Sequence, residues 1–230
     1  TTVVGTLKKD IAEYVNGNLN VVLCATHDTA SAVEGIPFEE NSPYISSGTW
    51  SLLGIKVKDA ITSLDSMKAN YSNEGGVNYT RYQKNIMGMW IINNLKKELM
   101  PNASFPEIIE LSKNSTFNLF PDVNDNLFMS PVSMKDAFDE WFKNSKEKPT
   151  SPGDYFKSAY VGLAHGYKQA LNDLKQNTGY EFNKLYIVGG GAKNDYLNGL
   201  TEQICNIKVV ALPIEATAIG NIKMQMEANK

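Results

Sequence analysis

Cysteine is scarce in this 230-residue chain. The two cysteines, Cys24 and Cys205, lie far apart and form no C-x-x-C pair. Closely spaced cysteines are typical of structural zinc sites and redox motifs, so no metal ligands are predicted. Cys24 stands in the apolar run Val21–Ala25, where a free thiol behaves as a small hydrophobic side chain. Both cysteines are therefore interpreted as structural, which fits the reducing cytoplasm.

The chain also lacks an excess of positive charge and any long apolar run. It carries 22 Lys and Arg residues against 25 Asp and Glu residues, a formal net charge of −3. A nucleic-acid-binding domain normally shows a basic face, and a membrane span needs about 18–20 apolar residues in a row. No signal peptide is visible. Neither nucleic acid nor a membrane is predicted as a partner, but phosphorylated ligands are compatible, because backbone N–H groups bind phosphate.

The remaining composition is that of an ordinary globular protein, with 42% apolar and 20% charged residues. The length suits one large domain or two small ones. The first residues, Thr1–Gly5, read as a strand and include no initial Met. We therefore expect the chain to be part of a longer protein.

Hydrophobic periodicity predicts alternating strands and helices and thus an α/β or α+β class. Strands are predicted at 1–5, 20–25, 184–188 and 208–211, with two more in a hairpin within 44–55. The 20–25 strand is expected to be buried, and Pro213 to end the last one. Helices are predicted at 10–15, 29–35, 85–99, 154–178, 195–205 and 215–229, and turns at 16–18 and 73–77. Residues from about 101 to 152 are less regular, with short amphipathic segments at 105–111 and 134–142 and a loop at 128–131, and are interpreted as an insertion or cap.

Asp28 is the first candidate for chemistry, because it follows a predicted strand beside His27 and Thr29. Ligands of layered α/β folds bind at the carboxyl ends of strands, which favours a functional carboxylate here. The alternative is that Asp28 caps the next helix by accepting hydrogen bonds from its first N–H groups. His27 taken alone also fits an ordinary packed polar residue. The spacing leaves both interpretations open.

Two glycine turns are candidates for contact with a phosphorylated ligand. In Ser46–Thr49, Gly48 allows close approach of the backbone and Thr49 can donate to a phosphate oxygen. Hairpins use the same residues without any function. The run Gly189–Gly191 lies between a predicted strand and a predicted helix, an arrangement that lets a nucleotide approach a helix N-terminus. It is neither G-x-G-x-x-G nor a Walker A motif, so it is a weak signal by itself.

Two further segments favour structural roles. Asn85 and Asn93 lie eight residues apart and would share one face of the predicted 85–99 helix, where they would point into a cleft. The alternative is an ordinary helix with Asn85 as its N-cap. Residues 215–221 are mostly small, and Gly220 is expected to let two elements pack closely.

In this order, the segments resemble the C-terminal part of FGGY-type carbohydrate kinases. The resemblance covers nearly the whole chain and is weaker at about 101–152. Three runs, His27–Ser31, Ser46–Ser51 and Lys84–Gly88, are together specific to one branch of that family. Asn73–Gly76, Val188–Gly191 and Pro213–Ile222 match as well. The resemblance implies an α/β domain of the ribonuclease-H-like, actin-like ATPase fold. It also implies that this domain is one lobe of two, with a sugar and ATP bound in the cleft between them.

The resemblance implies roles for the residues at the first strand end. Asp28 would accept the proton of the attacking sugar hydroxyl, with His27 and Thr29 contacting the sugar beside it. Asn85 matches a second sugar contact.

ATP contacts are implied for Thr49, for Asn93 and for the glycine turn formed by Gly189, Gly190 and Gly191, and Mg²⁺ is expected with the nucleotide. Asn93 stands where the family more often has Gln, so this contact would be one methylene shorter. Some relatives carry two cysteines in the helix after the glycine turn. Here Thr201 takes the first place beside Cys205, so no local disulfide can form.

The resemblance further implies that an N-terminal lobe is absent from this chain. That lobe would supply a phosphate-binding turn, an acidic Mg²⁺ partner and much of the sugar pocket, so the chain alone is expected to have little or no kinase activity. The alternatives are another FGGY kinase, acting on fuculose, xylulose or an autoinducer sugar, an actin-like sugar sensor without turnover, and an actin-like assembly protein. A sensor would usually carry a basic DNA-binding helix, and the sequence shows none.

Overall fold

The computed structural model describes residues 2–15, 17, 19–39, 41–212 and 215–230. The predicted turn at 16–18 and the predicted strand end at Pro213 involve residues outside this part of the chain, as do the first two residues of the Pro213–Ile222 motif. The strands are β1 Thr2–Thr6, β2 Asn20–Leu23, β3 Tyr44–Ser47, β4 Trp50–Val57, β5 Ser72–Gly75, β6 Thr80–Met87, β7 Lys184–Val188 and β8 Lys208–Ala211. The helices are α1 Lys9–Ala12, α2 Asp28–Gly35, α3 Leu64–Lys68, α4 Trp90–Leu99, α5 Phe105–Asn114, α6 Met134–Trp141, α7 Pro152–Thr178, α8 Asp195–Cys205 and α9 Ala216–Ala228.

A six-stranded mixed sheet organises most of the chain, in the order β5-β6-β4-β3-β7-β8. Its first four strands are antiparallel, whereas β3, β7 and β8 run parallel. The hairpin of β3 and β4 turns at Gly48 and Thr49, as the sequence predicts. β1 and β2 form a separate antiparallel pair.

Helices cover both faces of the six-stranded sheet. Alternation along β3 separates neighbouring side chains. Tyr44 joins a buried cluster with Val33 of α2 and Ala216 of α9. Ile45 joins the larger cluster, which contains Tyr160 of α7. The sheet is therefore the middle layer of three, an architecture that confirms the α/β class.

The region of about 101–152 packs into the larger core. Ile108 of α5, Phe138 of α6 and Phe128, which lies between these helices in the chain, are fully buried there. The predicted loop at 128–131 begins at the end of a short 3-10 helix, Asn126–Phe128. The two amphipathic segments are α5 and α6, as predicted.

The predicted helix over 85–99 is wrong in its first part. Asn85–Met87 end strand β6, and the helix begins only at Trp90. Pairing with β4 sets Asn85 opposite Leu52 and Met87 opposite Trp50, so the sheet satisfies these backbone groups. Asn85 and Asn93 therefore do not share a helix face.

Three smaller predictions also need correction. The turn predicted at 73–77 is largely strand β5, which is held on β6 by an ion pair from Arg81 to Glu74 of 2.9 Å. Strand β2 exists but is mostly exposed, because its only strand partner among the described residues is β1. The predicted 10–15 helix shrinks to the four residues of α1.

No helix in the described ranges has both the length and the apolar character that a membrane crossing requires.

Helix α7 begins at a capping box. The Ser151 hydroxyl accepts from the Asp154 N–H at 3.3 Å, and the Asp154 carboxylate accepts from the Ser151 N–H at 2.9 Å. Ser115 and Thr150 also donate to Asp154. Burial works to raise the pKa of Asp154, but these hydrogen bonds outweigh it and lower the pKa to about 2.

We expect Asp154→Asn to lower the free energy of unfolding by about 1 kcal/mol at pH 7, the usual cost of a lost cap. Since the folded pKa lies below the unfolded value, the carboxylate stabilises the fold above pH ~4, and this contribution disappears as the pH falls towards 2. Urea denaturation of both proteins between pH 2 and 7 measures the difference. Asp59→Asn, at an exposed aspartate, serves as the control. A difference that stays constant over this range would contradict the assignment.

Candidate active site

The N-terminus of α2 carries His27, Asp28 and Thr29, which follow the end of β2 at Leu23 by four to six residues. His27 occupies the N-cap position, and its Nδ1 accepts from the Thr29 N–H at 3.2 Å. Asp28 is the first helical residue, and its Oδ1 accepts from the same N–H at 2.6 Å. The cap position predicted for Asp28 therefore belongs to His27, although Asp28 also bonds to the first turn. The Asp28 side chain is 80% exposed, so its carboxylate is open to a reacting partner.

Helix α2 is fixed by backbone contact with α9. A Cβ atom at Gly220 would lie 1.8 Å from the Ser31 carbonyl oxygen, and one at Gly35 would lie 2.6 Å from that of Ala216. The Ser31 hydroxyl donates to the Thr217 carbonyl at 2.8 Å. The Thr217 hydroxyl in turn donates to the Asp28 carbonyl at 3.2 Å. The close packing expected at Gly220 is confirmed, and it holds the helix that carries Asp28.

The other end of α2 is anchored by a buried charge. Glu34 accepts from Lys56 of β4 at 3.2 Å and also from the Tyr79 hydroxyl. The Lys56 ammonium lies over the rings of Phe38 and Tyr79. Burial lowers the pKa of Lys56, while Glu34 partly opposes this shift. Both ends of α2 are thus tied to neighbouring elements.

A cavity of about 390 Å³ lies between the α2 N-terminus and the sheet. It brings together His27, Thr29 and Asn85, for which the family resemblance implied contact with the substrate, although β6 and not a helix presents Asn85. Asp28 does not line the cavity but stands between two residues that do. The lining also includes Glu74 and Gln83, which the sequence analysis did not single out. Period-2 spacing with Asn85 would have indicated Gln83, had residues 80–87 been identified as a strand.

The glycine turn after β7 packs against the β3 end. Gly189 has a φ of 87°, a conformation that favours glycine. A Cβ atom there would lie 2.6 Å from the Ser47 carbonyl oxygen, and one at Gly191 would lie 2.0 Å from the Ser47 hydroxyl oxygen. A 3-10 turn, Gly190–Lys193, separates the strand from α8, so the helix does not start directly at the glycines.

A second cavity, of about 670 Å³, borders the same turn. It is lined by Thr49, Asn93, Gly190 and Gly191, four of the five predicted nucleotide contacts, whereas Gly189 lines the first cavity. Its apolar walls come from residues that the sequence analysis did not assign to a site, namely Met89, Phe105, Pro106 and Ile109. Apolar walls with a few polar groups are typical of sites for small organic ligands. Gly48 and Gly190 line both cavities, so the two meet at these residues.

Comparison with known proteins identifies the family of this chain. Residues 43–228 match the FGGY family of carbohydrate kinases, C-terminal domain. The chain belongs to the FGGY family. It is 38% identical over 229 residues to a rhamnulokinase of Oceanobacillus iheyensis. This match covers 99% of this chain and 49% of that protein. It is 42% identical over 230 residues to a rhamnulokinase of Ligilactobacillus salivarius, covering 98% and 47%.

Solved structures of other FGGY kinases share the fold. A xylulose kinase from Rhodospirillum rubrum superimposes with a TM-score of 0.74 at 12% identity, over 100% of this chain and 47% of that one. Glycerol kinase of Plasmodium falciparum with ADP gives a TM-score of 0.67 at 16% identity, over 95% and 44%. The expected actin-like fold is confirmed. The chain spans about half the length of the curated relatives it matches.

The contact between α2 and α9 in this FGGY domain predicts a strong effect at Gly220. Gly220→Ala is expected to destabilise the chain by about 1–3 kcal/mol, because the added methyl group overlaps the Ser31 carbonyl. Gly199→Ala, in helix α8 with no atom within 4 Å of its Cβ position, is the matched control and is expected to stabilise by up to about 1 kcal/mol. Urea denaturation of both variants checks the pair. Equal changes in the free energy of unfolding of the two variants would mean that the close contact at Gly220 does not affect stability.

Proposed function

We propose that the protein containing this chain transfers a phosphoryl group from ATP to the 1-hydroxyl of L-rhamnulose, giving L-rhamnulose 1-phosphate and ADP. The observation that carries the proposal is the pair of cavities that meet at Gly48 and Gly190. One lies beside Asp28, and the other is lined by the glycine turn. The named relatives, rhamnulokinases at 35–42% identity, support this sugar over other FGGY substrates.

Asp28 is the proposed general base. Phosphoryl transfer needs a group that accepts the proton of the attacking hydroxyl, and the Asp28 carboxylate beside the first cavity can accept it. His27 and Thr29 flank it and line the first cavity with Asn85, so these three are proposed to hold the sugar. We propose that the hydroxyl to be phosphorylated faces Asp28, which stands between His27 and Thr29.

The second cavity is the proposed ATP site. Gly190 and Gly191 expose backbone at the turn, and the apolar wall of Met89, Phe105 and Ile109 suits a nucleoside. Thr49 and Asn93 provide the polar contacts. Bound ATP supplies the phosphoryl group, and the meeting of the two cavities directs that group towards the sugar. The glycerol kinase relative with ADP agrees with nucleotide use.

Mg²⁺ is proposed to accompany the nucleotide. Within the described ranges no three His, Cys, Asp or Glu side chains cluster as metal ligands. Mg²⁺ in such sites is commonly held by one or two carboxylates together with phosphate oxygens and water, so a cluster of three is not required. The acidic partner of the Mg²⁺ is proposed to come from the part of the protein outside this chain.

The missing part is proposed to be an N-terminal lobe that completes the site. The separate strand pair exposes Val4 and Leu23, which are 60% and 59% exposed. Ile222 and Met226 of α9 are also exposed. Apolar surface of this kind marks interaction sites, and the exposed Asp28 follows the end of β2 by five residues. A lobe covering this surface would exclude water from the base.

Replacing the base tests the reaction directly. In the full-length protein, Asp28→Asn is expected to lower kcat for L-rhamnulose by about 10²–10⁴-fold, because the amide cannot accept the hydroxyl proton. Sugar and ATP binding should persist. Asp59→Asn is the matched control. Near-normal kcat in Asp28→Asn would rule out the base, and a panel with xylulose and fuculose identifies the preferred sugar.

The chain by itself is expected to show no sugar-dependent ATP turnover above background, because half of the proposed cleft is absent. A coupled ADP-release assay with L-rhamnulose measures this, with the full-length protein as the positive control. Titration with an unreactive ATP analogue should still detect weak binding at the second cavity. Full turnover by the chain alone would contradict the need for a second lobe.

A further inference from the structure

Gln83 is a buried polar residue in the first cavity to which no role has been assigned. It is fully buried on β6, two residues before Asn85, so both side chains leave the same face of the sheet. Strand pairing sets Gly54 opposite both Gln83 and Tyr44, so the three residues form one cross-strand row. A Cβ atom at Gly54 would lie 2.6 Å from the Gln83 Cβ and 2.9 Å from the Tyr44 hydroxyl oxygen. The glycine thus leaves space for both larger side chains.

Neighbouring donors fix the orientation of the Gln83 amide. Its Oε1 accepts from the Tyr44 hydroxyl at 2.8 Å and from Arg81 Nη1 at 3.3 Å. A guanidinium can only donate, so the oxygen must face Arg81. The Nε2 group therefore points the other way, as a donor.

Gln83 Nε2 has no hydrogen-bond partner among the described residues, although it is buried. Leaving a buried donor without an acceptor costs free energy. Gln83 lines the cavity that His27, Thr29 and Asn85 also line. A ligand oxygen in this cavity would supply the missing acceptor.

The cavity chemistry favours a neutral hydroxyl as that acceptor. No Lys or Arg is among the lining residues that the structure describes. The adjacent Arg81 is engaged by Glu74 at 2.9 Å and by the Gly75 carbonyl at 3.2 Å. Glu74 also lines the cavity, and its pairing with Arg81 leaves no free cation among the described residues there to attract a phosphate group. A sugar hydroxyl, which both donates and accepts, matches this mixture.

We propose that Gln83 Nε2 donates a hydrogen bond to a hydroxyl oxygen of the sugar and so contributes to sugar specificity. Arg81 and Tyr44 hold the amide in the required orientation. This inference rests on the proposed sugar kinase function. A site that hydrogen-bonds a substrate hydroxyl discriminates against analogues that lack it.

Gln83→Glu in the full-length protein is the sharpest test. The carboxylate has the same shape and still accepts from Tyr44 and Arg81, but the donor is lost. We expect KM for L-rhamnulose to rise about tenfold or more, with KM for ATP changed less than about twofold. Gln83→Met, which removes all polar atoms at similar volume, should change the sugar KM in the same direction. Gln176→Glu, at an exposed position on α7, is the matched control.

Monodeoxy analogues of the sugar separate contact from general damage. The wild-type protein should lose kcat/KM with one particular analogue, and Gln83→Met should show no further loss with that analogue. Thermal unfolding of both variants reports whether they fold. Unchanged sugar KM in a folded variant, or equal rises in both KM values, would overturn the inference while leaving the kinase function intact. Failure of the wild-type protein to phosphorylate any sugar would remove both.

Discussion

The contact between α2 and α9 is the constraint on which the rest of the site depends. Gly220 brings the two helix backbones so close that a single methyl group would overlap the Ser31 carbonyl. This contact sets the position of the first turn of α2, together with the hydrogen bond that the Thr217 hydroxyl donates to the Asp28 carbonyl. The position of the Asp28 carboxylate is therefore decided by a helix that begins almost 190 residues later in the chain. Close packing of this kind fixes the geometry of the two helices and leaves little tolerance for added volume.

A second close approach joins the two cavities. Ser47 ends β3, and both Gly189 and Gly191 lie against it at distances that exclude any side chain. On the same face of the sheet as the Ser47 side chain, the buried Ser51 and Tyr167 hydroxyls bond at 2.8 Å, which ties the neighbouring strand to α7. The glycine turn therefore rests on a rigid strand end. This is why one residue, Gly190, can line a wall of each cavity.

The site in this chain is open on one side. Asp28 and the β1–β2 pair are exposed, whereas the sheet and its helices form well-buried clusters. A carboxylate in water is a weaker base for a bound hydroxyl than one in a closed cleft, because water competes for the proton and screens charge. The exposure of Asp28 thus agrees with the finding that the chain spans only about half the length of its curated relatives.

The sequence by itself determined the α/β class, the hairpin at Gly48, the glycine turn and the long helix α7, because each depends on local periodicity and turn chemistry. It also identified His27, Asp28 and Thr29 as neighbouring candidate residues. It misidentified residues 85–87, since a short apolar run next to a helix fits either period, and only pairing with β4 decides for a strand. Only the tertiary structure showed that Asn85 reaches the cavity from a strand, that apolar residues of α5 wall the second cavity, and that the Gln83 donor is unpaired. These facts depend on contacts between residues far apart in the chain, which local patterns do not encode.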